Sequence, residues 1–128
     1  MMRVESGHIV LKRLRFHAFH GVMPQERRVG ADFLVTLRLG YDLTRAMQTD
    51  DVSDTLNYAE VYRVVQEEME KPSALLEHVA GRIADAVLRQ FPDVQSIDLE
   101  LMKQNPPMGA DCEGAGVELH LINDKTPE

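Results

Sequence analysis

Three runs of this chain that read as β-strands are each apolar on one parity, and a fourth switches parity midway. Phe33, Val35, Leu37, Leu39 and Tyr41 alternate with Asp32, Thr36, Arg38 and Asp42, Leu34 being the one exception. Ile97, Leu99 and Leu101 alternate with Asp98 and Glu100, and Val117, Leu119 and Leu121 with Glu118 and His120. Successive strand side chains point to opposite faces, so a sheet built from these runs has one covered face and one wet face. The first run, residues 9–19, changes parity. Ile9 and Leu11 share one face and Leu14, Phe16 and Ala18 the other, a switch that a bulge near Lys12-Arg13 reconciles. Between the second and third runs, two stretches carry apolar residues every three to four positions. Tyr58, Val61, Tyr62, Val65 and Met69 make one helical stripe; Leu76, Val79, Ala80, Ile83, Val87 and Phe91 make another.

Asn57 stands where it caps the first helix, with Glu60 at the capping-box spacing. Pro72-Ser73 marks the start of the second helix and Pro92 its end. Residues 24–30 read as a polar loop, and residues 43–55 as an acidic stretch with a short helical turn. The order strand, strand, helix, helix, strand, strand, each element apolar on one side, predicts an α+β fold. It is a four-stranded antiparallel sheet with both helices on one face. The 128 residues suffice for a single domain, 1–128, with a real core. Such a sheet has two open edges, and edge-to-edge assembly into a ring is a reasonable expectation. The polar tail, residues 123–128, is expected to fray.

Bulk properties narrow the function classes. The net charge of −7 argues against nucleic-acid binding, which needs basic surface. No apolar run is long enough to span a membrane, and residues 1–7 lack the apolar core of a signal peptide. The lone cysteine, Cys112, excludes an internal disulfide framework and fits the reducing cytoplasm; no role attaches to it. Gly-rich phosphate loops, Cys-x-x-Cys, His-Glu-x-x-His and Gly-x-Ser-x-Gly are all missing. His17 and His20 fall on opposite faces of a strand, which speaks against a shared metal.

Lys103 stands out. It takes the next apolar-parity position after Ile97, Leu99 and Leu101, and the strand is cut off directly afterwards by Gln104-Asn105-Pro106-Pro107. A buried ammonium must be paired, neutralised or turned to a polar cavity, whereas one at a wet strand end can snorkel to water. Position alone leaves both open. Glu77, in the first turn of the second helix, suits the helix dipole and also flanks the apolar stripe, where it could line a crevice between helix and sheet. A carboxylate there suits a ligand with two adjacent N–H donors. Tyr58 is either a core aromatic or a proton donor, and Glu26 is undistinguished by itself.

Four segments, taken in order and spacing, resemble dihydroneopterin aldolase of the folate pathway. They are Phe16-His17-Ala18-Phe19-His20-Gly21-Val22 followed by Glu26, Asp54-Thr55-Leu56-Asn57-Tyr58-Ala59-Glu60-Val61, Leu75-Leu76-Glu77-His78-Val79-Ala80, and Lys103-Gln104-Asn105-Pro106-Pro107. The resemblance spans nearly the whole chain. It implies the tunnelling fold (ββααββ) and subunits joined into a ring, commonly a tetramer, which can stack into an octamer. It implies a pterin substrate anchored by Glu77 beside the backbone of Leu76. Lys103 would transfer protons, through a water positioned with its partner Glu26. Tyr58, with Leu56 and Asn57, would reach in from an adjacent subunit. The implied reaction is the retro-aldol cleavage of 7,8-dihydroneopterin, with no cofactor, metal or Schiff base. Two alternatives stand beside it: the related epimerase, and a non-catalytic ring that binds pterin or purine.

Overall fold

The computed structural model describes residues 1–125; Thr126, Pro127 and Glu128 of the expected fraying tail lie outside the described residues. The elements run β1 (His8–Ala18), α1 (Pro24–Val29), β2 (Ala31–Gly40), α2 (Thr44–Thr49), a 3-10 turn (Val52–Asp54), α3 (Tyr58–Met69), α4 (Leu76–Gln90), β3 (Ser96–Lys103) and β4 (Ala115–Ile122). The four strands form one antiparallel sheet in the order β1-β2-β3-β4. The two long helices pack on each other, α3 against β1 and α4 against β3 and β4.

The parity switch in β1 is a bulge. Leu11 pairs with Leu37 and Leu14 with Val35, so Lys12 and Arg13 face the single residue Thr36. Arg13 takes up the extra length at φ 58, and its N–H donates to Thr36 Oγ1 at 3.0 Å. The extra residue returns Leu14, Phe16 and Ala18 to the face of Leu11. That face, with Phe33, Val35, Leu37, Leu39, Ile97, Leu99 and Leu101, meets Val61, Val65 and Met69 of α3 and Val79, Ile83 and Val87 of α4 in one core. Each such side chain contributes about 1.5–3 kcal/mol on burial. The opposite face is polar, with His17 on Asp32 and His120 on Asp98.

Four local expectations need correction. Residues 24–29 form a helix instead of a loop: Pro24 opens it and Glu26 Oε1 accepts the Met23 N–H at 3.2 Å. None of its residues is buried, so no apolar stripe betrays it. The acidic stretch holds a six-residue helix as well as a 3-10 turn. The second long helix starts at Leu76 rather than at Ser73, because tertiary hydrogen bonds capture Ser73 first. In α3 the buried stripe is Val61, Val64, Val65, Glu68 and Met69; Tyr58 is exposed, and Tyr62 sits at the rim, stacked on Phe16.

Candidate active site

β3 delivers Lys103 to the covered face at the point where the strand stops. The Gln104 N–H still reaches Asp32 O at 2.9 Å, then Asn105 turns at φ 51 and Pro106-Pro107 prevent further pairing. The Lys103 side chain is 10% exposed, with Nζ 5.6 Å from the centroid of Phe33, its cross-strand neighbour. Its ammonium donates to Glu26 Oε2. The Glu26 side chain is itself 15% exposed, and the hydrogen bond from Lys103 holds its carboxyl below the usual range. Of the states open to a lysine on this parity, the paired one is adopted.

The pair opens into a cavity of about 360 Å³ lined also by Leu76, Glu77, Pro107, Met108 and Val117. α4 begins here with no side-chain cap, so its first turn presents backbone donors and the carboxylate of Glu77 together. Glu77 is exposed in the single chain and its carboxylate has no hydrogen-bond or ion-pair partner among the described residues, which leaves it available to a ligand. Lys103, Glu26, Leu76 and Glu77 are thus brought together, although they come from three separated parts of the sequence.

Tyr58, Leu56 and Asn57 are not brought to them. Leu56 and Asn57 line a different depression, with Tyr41, Phe91, Pro92 and Asp93, at the end of the sheet where β3 begins. The two ends of β3 are about 23 Å apart at 3.3 Å per residue. Tyr58 is 64% exposed there, whereas the Leu56 side chain is buried in its own core, so only the Leu56 backbone is free to meet a ligand.

The patterns above weigh His20 only as a metal ligand and leave Glu68 and Arg82 unmarked. Glu68 is buried on the α3 stripe, held by Arg82 Nη1 at 3.2 Å and Lys71 Nζ at 2.8 Å. A glutamate between Val65 and Met69 on that stripe was the available signal. His20 is 1% exposed, edge-on to Phe33 at 5.3 Å. Burial, with Arg82 nearby, lowers its pKa from 6.5 to about 4. The folded protein therefore resists protonating His20 while the unfolded chain accepts the proton. Stability from this group is complete above pH 6.5 and is lost as the pH falls from 6.5 to about 4, a loss of about 3 kcal/mol. His20→Asn should flatten urea-unfolding stability across that window relative to wild type. Parallel losses in the two proteins would refute the assignment.

Fold and site together define a class: a small α+β protein whose single sheet ends in an ion-paired lysine beside a free carboxylate at a helix start, suited to acid/base chemistry on a polar ligand. Among the described residues no group of three or more His, Cys, Asp or Glu is placed to hold a metal ion, and no helix is long and apolar enough to cross a membrane. The family model for dihydroneopterin aldolase (FolB) matches residues 9–120. The chain belongs to the dihydroneopterin aldolase family, enzymes of folate biosynthesis. The dihydroneopterin aldolase of Staphylococcus epidermidis is 40% identical over 117 residues, covering 91% of this chain and 97% of that protein. Among solved structures, FolB of Vibrio cholerae superposes with TM-score 0.85 at 26% identity, covering 93% of this chain and 99% of that one. The Escherichia coli dihydroneopterin aldolase, crystallised with neopterin, shares the fold at TM-score 0.82 and 24% identity, covering 89% of this chain and 97% of its own.

Proposed function

We propose that this chain cleaves 7,8-dihydroneopterin by a retro-aldol reaction to 6-hydroxymethyl-7,8-dihydropterin and glycolaldehyde. The observation that carries the reading is the Lys103–Glu26 ion pair facing the same cavity as Glu77, in a chain of this family. Glu77 accepts the two adjacent N–H groups of the pterin edge, beside the backbone of Leu76. The proton of the side-chain 2′-hydroxyl leaves through a water held by the Lys103–Glu26 pair. The C1′–C2′ bond breaks, glycolaldehyde departs, and the electron pair moves through C6 onto N5, which takes a proton. Reprotonation at C1′ with loss of the N5 proton then restores the ring imine. The substrate's own C=N bond is the electron sink, so Lys103 acts as general acid/base and forms no Schiff base. Re-addition of glycolaldehyde to the same intermediate through its other carbonyl face inverts C2′ and yields the epimer, which makes epimerisation a side reaction of the same groups.

Two observations support a site shared between copies. β1 and β4 leave both sheet edges free for a neighbouring copy, and Tyr58 lines no part of the Lys103 cavity, its neighbours Leu56 and Asn57 lining the depression at the other end of the sheet. In a ring of four, or a stacked pair of rings, the Leu56-Asn57-Tyr58 segment of one copy closes the cavity of the next, and Tyr58 helps reprotonate C1′. Native mass spectrometry should show a tetramer or octamer; an active monomer would remove Tyr58 from the chemistry. Tyr58→Phe should shift products toward epimerised and oxidised pterins with little change in affinity, as read by chromatography of a complete reaction. An unchanged product ratio would overturn the role of the hydroxyl.

Incubation with 7,8-dihydroneopterin tests the whole reading. Glycolaldehyde release supports cleavage, monapterin alone assigns the chain to epimerisation, and binding without turnover overturns both.

A further inference from the structure

Two buried polar side chains lie outside the chemistry above, His20 and Glu68, and hydrogen bonds lead from both to Ser73. The Ser73 N–H donates to His20 Nδ1 at 3.2 Å, and the Ser73 carbonyl accepts the Gly21 N–H at 2.9 Å. Ser73 Oγ accepts from Arg82 Nη2 at 3.0 Å, while Arg82 Nη1 donates to the Glu68 carbonyl at 3.0 Å and to Glu68 Oε1. Every polar atom of Ser73 is therefore engaged across the chain. Ser73 leads into α4, whose first turn carries Leu76 and Glu77. On the other side, His20 and Gly21 lead into the helix that carries Glu26. Gly21 lies so close to it that a Cβ there would come within 2.5 Å of Glu26 Cβ. The two walls of the cavity, one from α1 and one from α4, are joined through this residue.

The imidazole is an odd choice for a purely structural tie. Because Nδ1 accepts, neutral His20 carries its proton on Nε2, which is buried with no partner in full hydrogen-bond geometry among the described residues, the Met69 backbone being its nearest polar neighbour. An apolar side chain would avoid that poorly paired N–H and lose the bond to Ser73 together with the weaker contact to the Met69 backbone. What it could not supply is an acceptor at the position of Nδ1.

We propose that His20 is a positioning residue: through Ser73 it sets the first turn of α4, and with it Glu77 and the Leu76 backbone, against the Glu26–Lys103 pair. The inference rests on the function proposed above for its effect on ligand. Lys103 is held by the sheet and by Glu26, so loss of the His20–Ser73 bond acts on heterocycle binding more than on proton transfer.

The test compares wild type with His20→Leu, which fills the volume without an acceptor, and His20→Asn, whose Oδ1 reproduces Nδ1. Amide hydrogen exchange and calorimetric titration with neopterin are both recorded. His20→Leu should speed exchange of residues 73–77 about 10-fold, with residues 99–103 unchanged. It should raise the neopterin Kd about 10-fold at full stoichiometry, and His20→Asn should restore both to within about threefold. A merely structural role would lower the stoichiometry of binding and leave Kd alone, which overturns the proposal. Unchanged exchange at residues 73–77 overturns it, as does an Asn variant no better than Leu. If His20→Leu does not fold, His20→Gln, which moves the acceptor by one methylene, takes its place; a neopterin Kd raised about threefold or more supports the proposal and an unchanged Kd overturns it. A wild-type chain that binds no neopterin removes the function proposed above, while the exchange data still decide the positioning role.

Discussion

Lys103→Ala should slow cleavage of 7,8-dihydroneopterin by about 100-fold or more while neopterin binding changes little, the size expected for removing a general acid/base. Alanine alone is an ambiguous probe. Glu26 would be left without its ammonium in a place that is mostly buried, and breaking such a pair costs about 3–5 kcal/mol of stability. Lys103→Arg separates the two effects. The guanidinium keeps the charge for Glu26, so the fold should melt near the wild-type temperature, yet it cannot give up its proton at any working pH. Single-turnover rates should fall in the arginine variant as in the alanine variant. A wild-type rate with arginine would show that position 103 supplies charge alone, and a wild-type rate with alanine would remove it from the mechanism altogether.

Glu77→Ala should weaken neopterin binding by about 2–5 kcal/mol, the penalty for losing one side of a desolvated charged hydrogen bond. The size of the effect carries its own information. Glu77 is exposed in the single chain, and an exposed charge pair contributes at most about 1 kcal/mol. A larger loss therefore requires that ligand and neighbouring copy cover the carboxylate on binding. Since no hydrogen bond or ion pair among the described residues involves the Glu77 side chain, thermal stability should not move. Calorimetric titration of the variant decides the matter: wild-type affinity would remove Glu77 as the anchor, and a loss below about 1 kcal/mol would mean an open, wet site.

Strand parity made much of the fold legible. The covered face, the bulge near Lys12-Arg13 and the parity of Lys103 all follow from which side chain points where, and that alternation is set by local backbone geometry, whereas whether Lys103 is buried or reaches water was left open by it. Elements without an apolar stripe were illegible for the same reason. α1 buries no apolar residue, so only its capping chemistry at Pro24 and Glu26 marks it. Tyr58 misled because the helical period places it on the α3 stripe, although the stripe runs off the end of the core there.

For the site, the sequence by itself determined that a lysine would arrive on a covered face at a strand end, that a carboxylate would stand in a helix's first turn, and, by resemblance, which family these residues belong to. The Glu26 partner, 77 residues away from Lys103 in sequence, was implied by the resemblance alone and by no pattern in the residues; the tertiary structure decided that the two are in contact and that both share a cavity with Glu77. It also decided that Tyr58 lies at the far end of the sheet and that Ser73 joins His20 to Arg82. The physical reason is range. Periodicity and capping act over a few residues and leave a mark in the sequence, whereas an ion pair or a buried hydrogen bond depends on how distant segments pack.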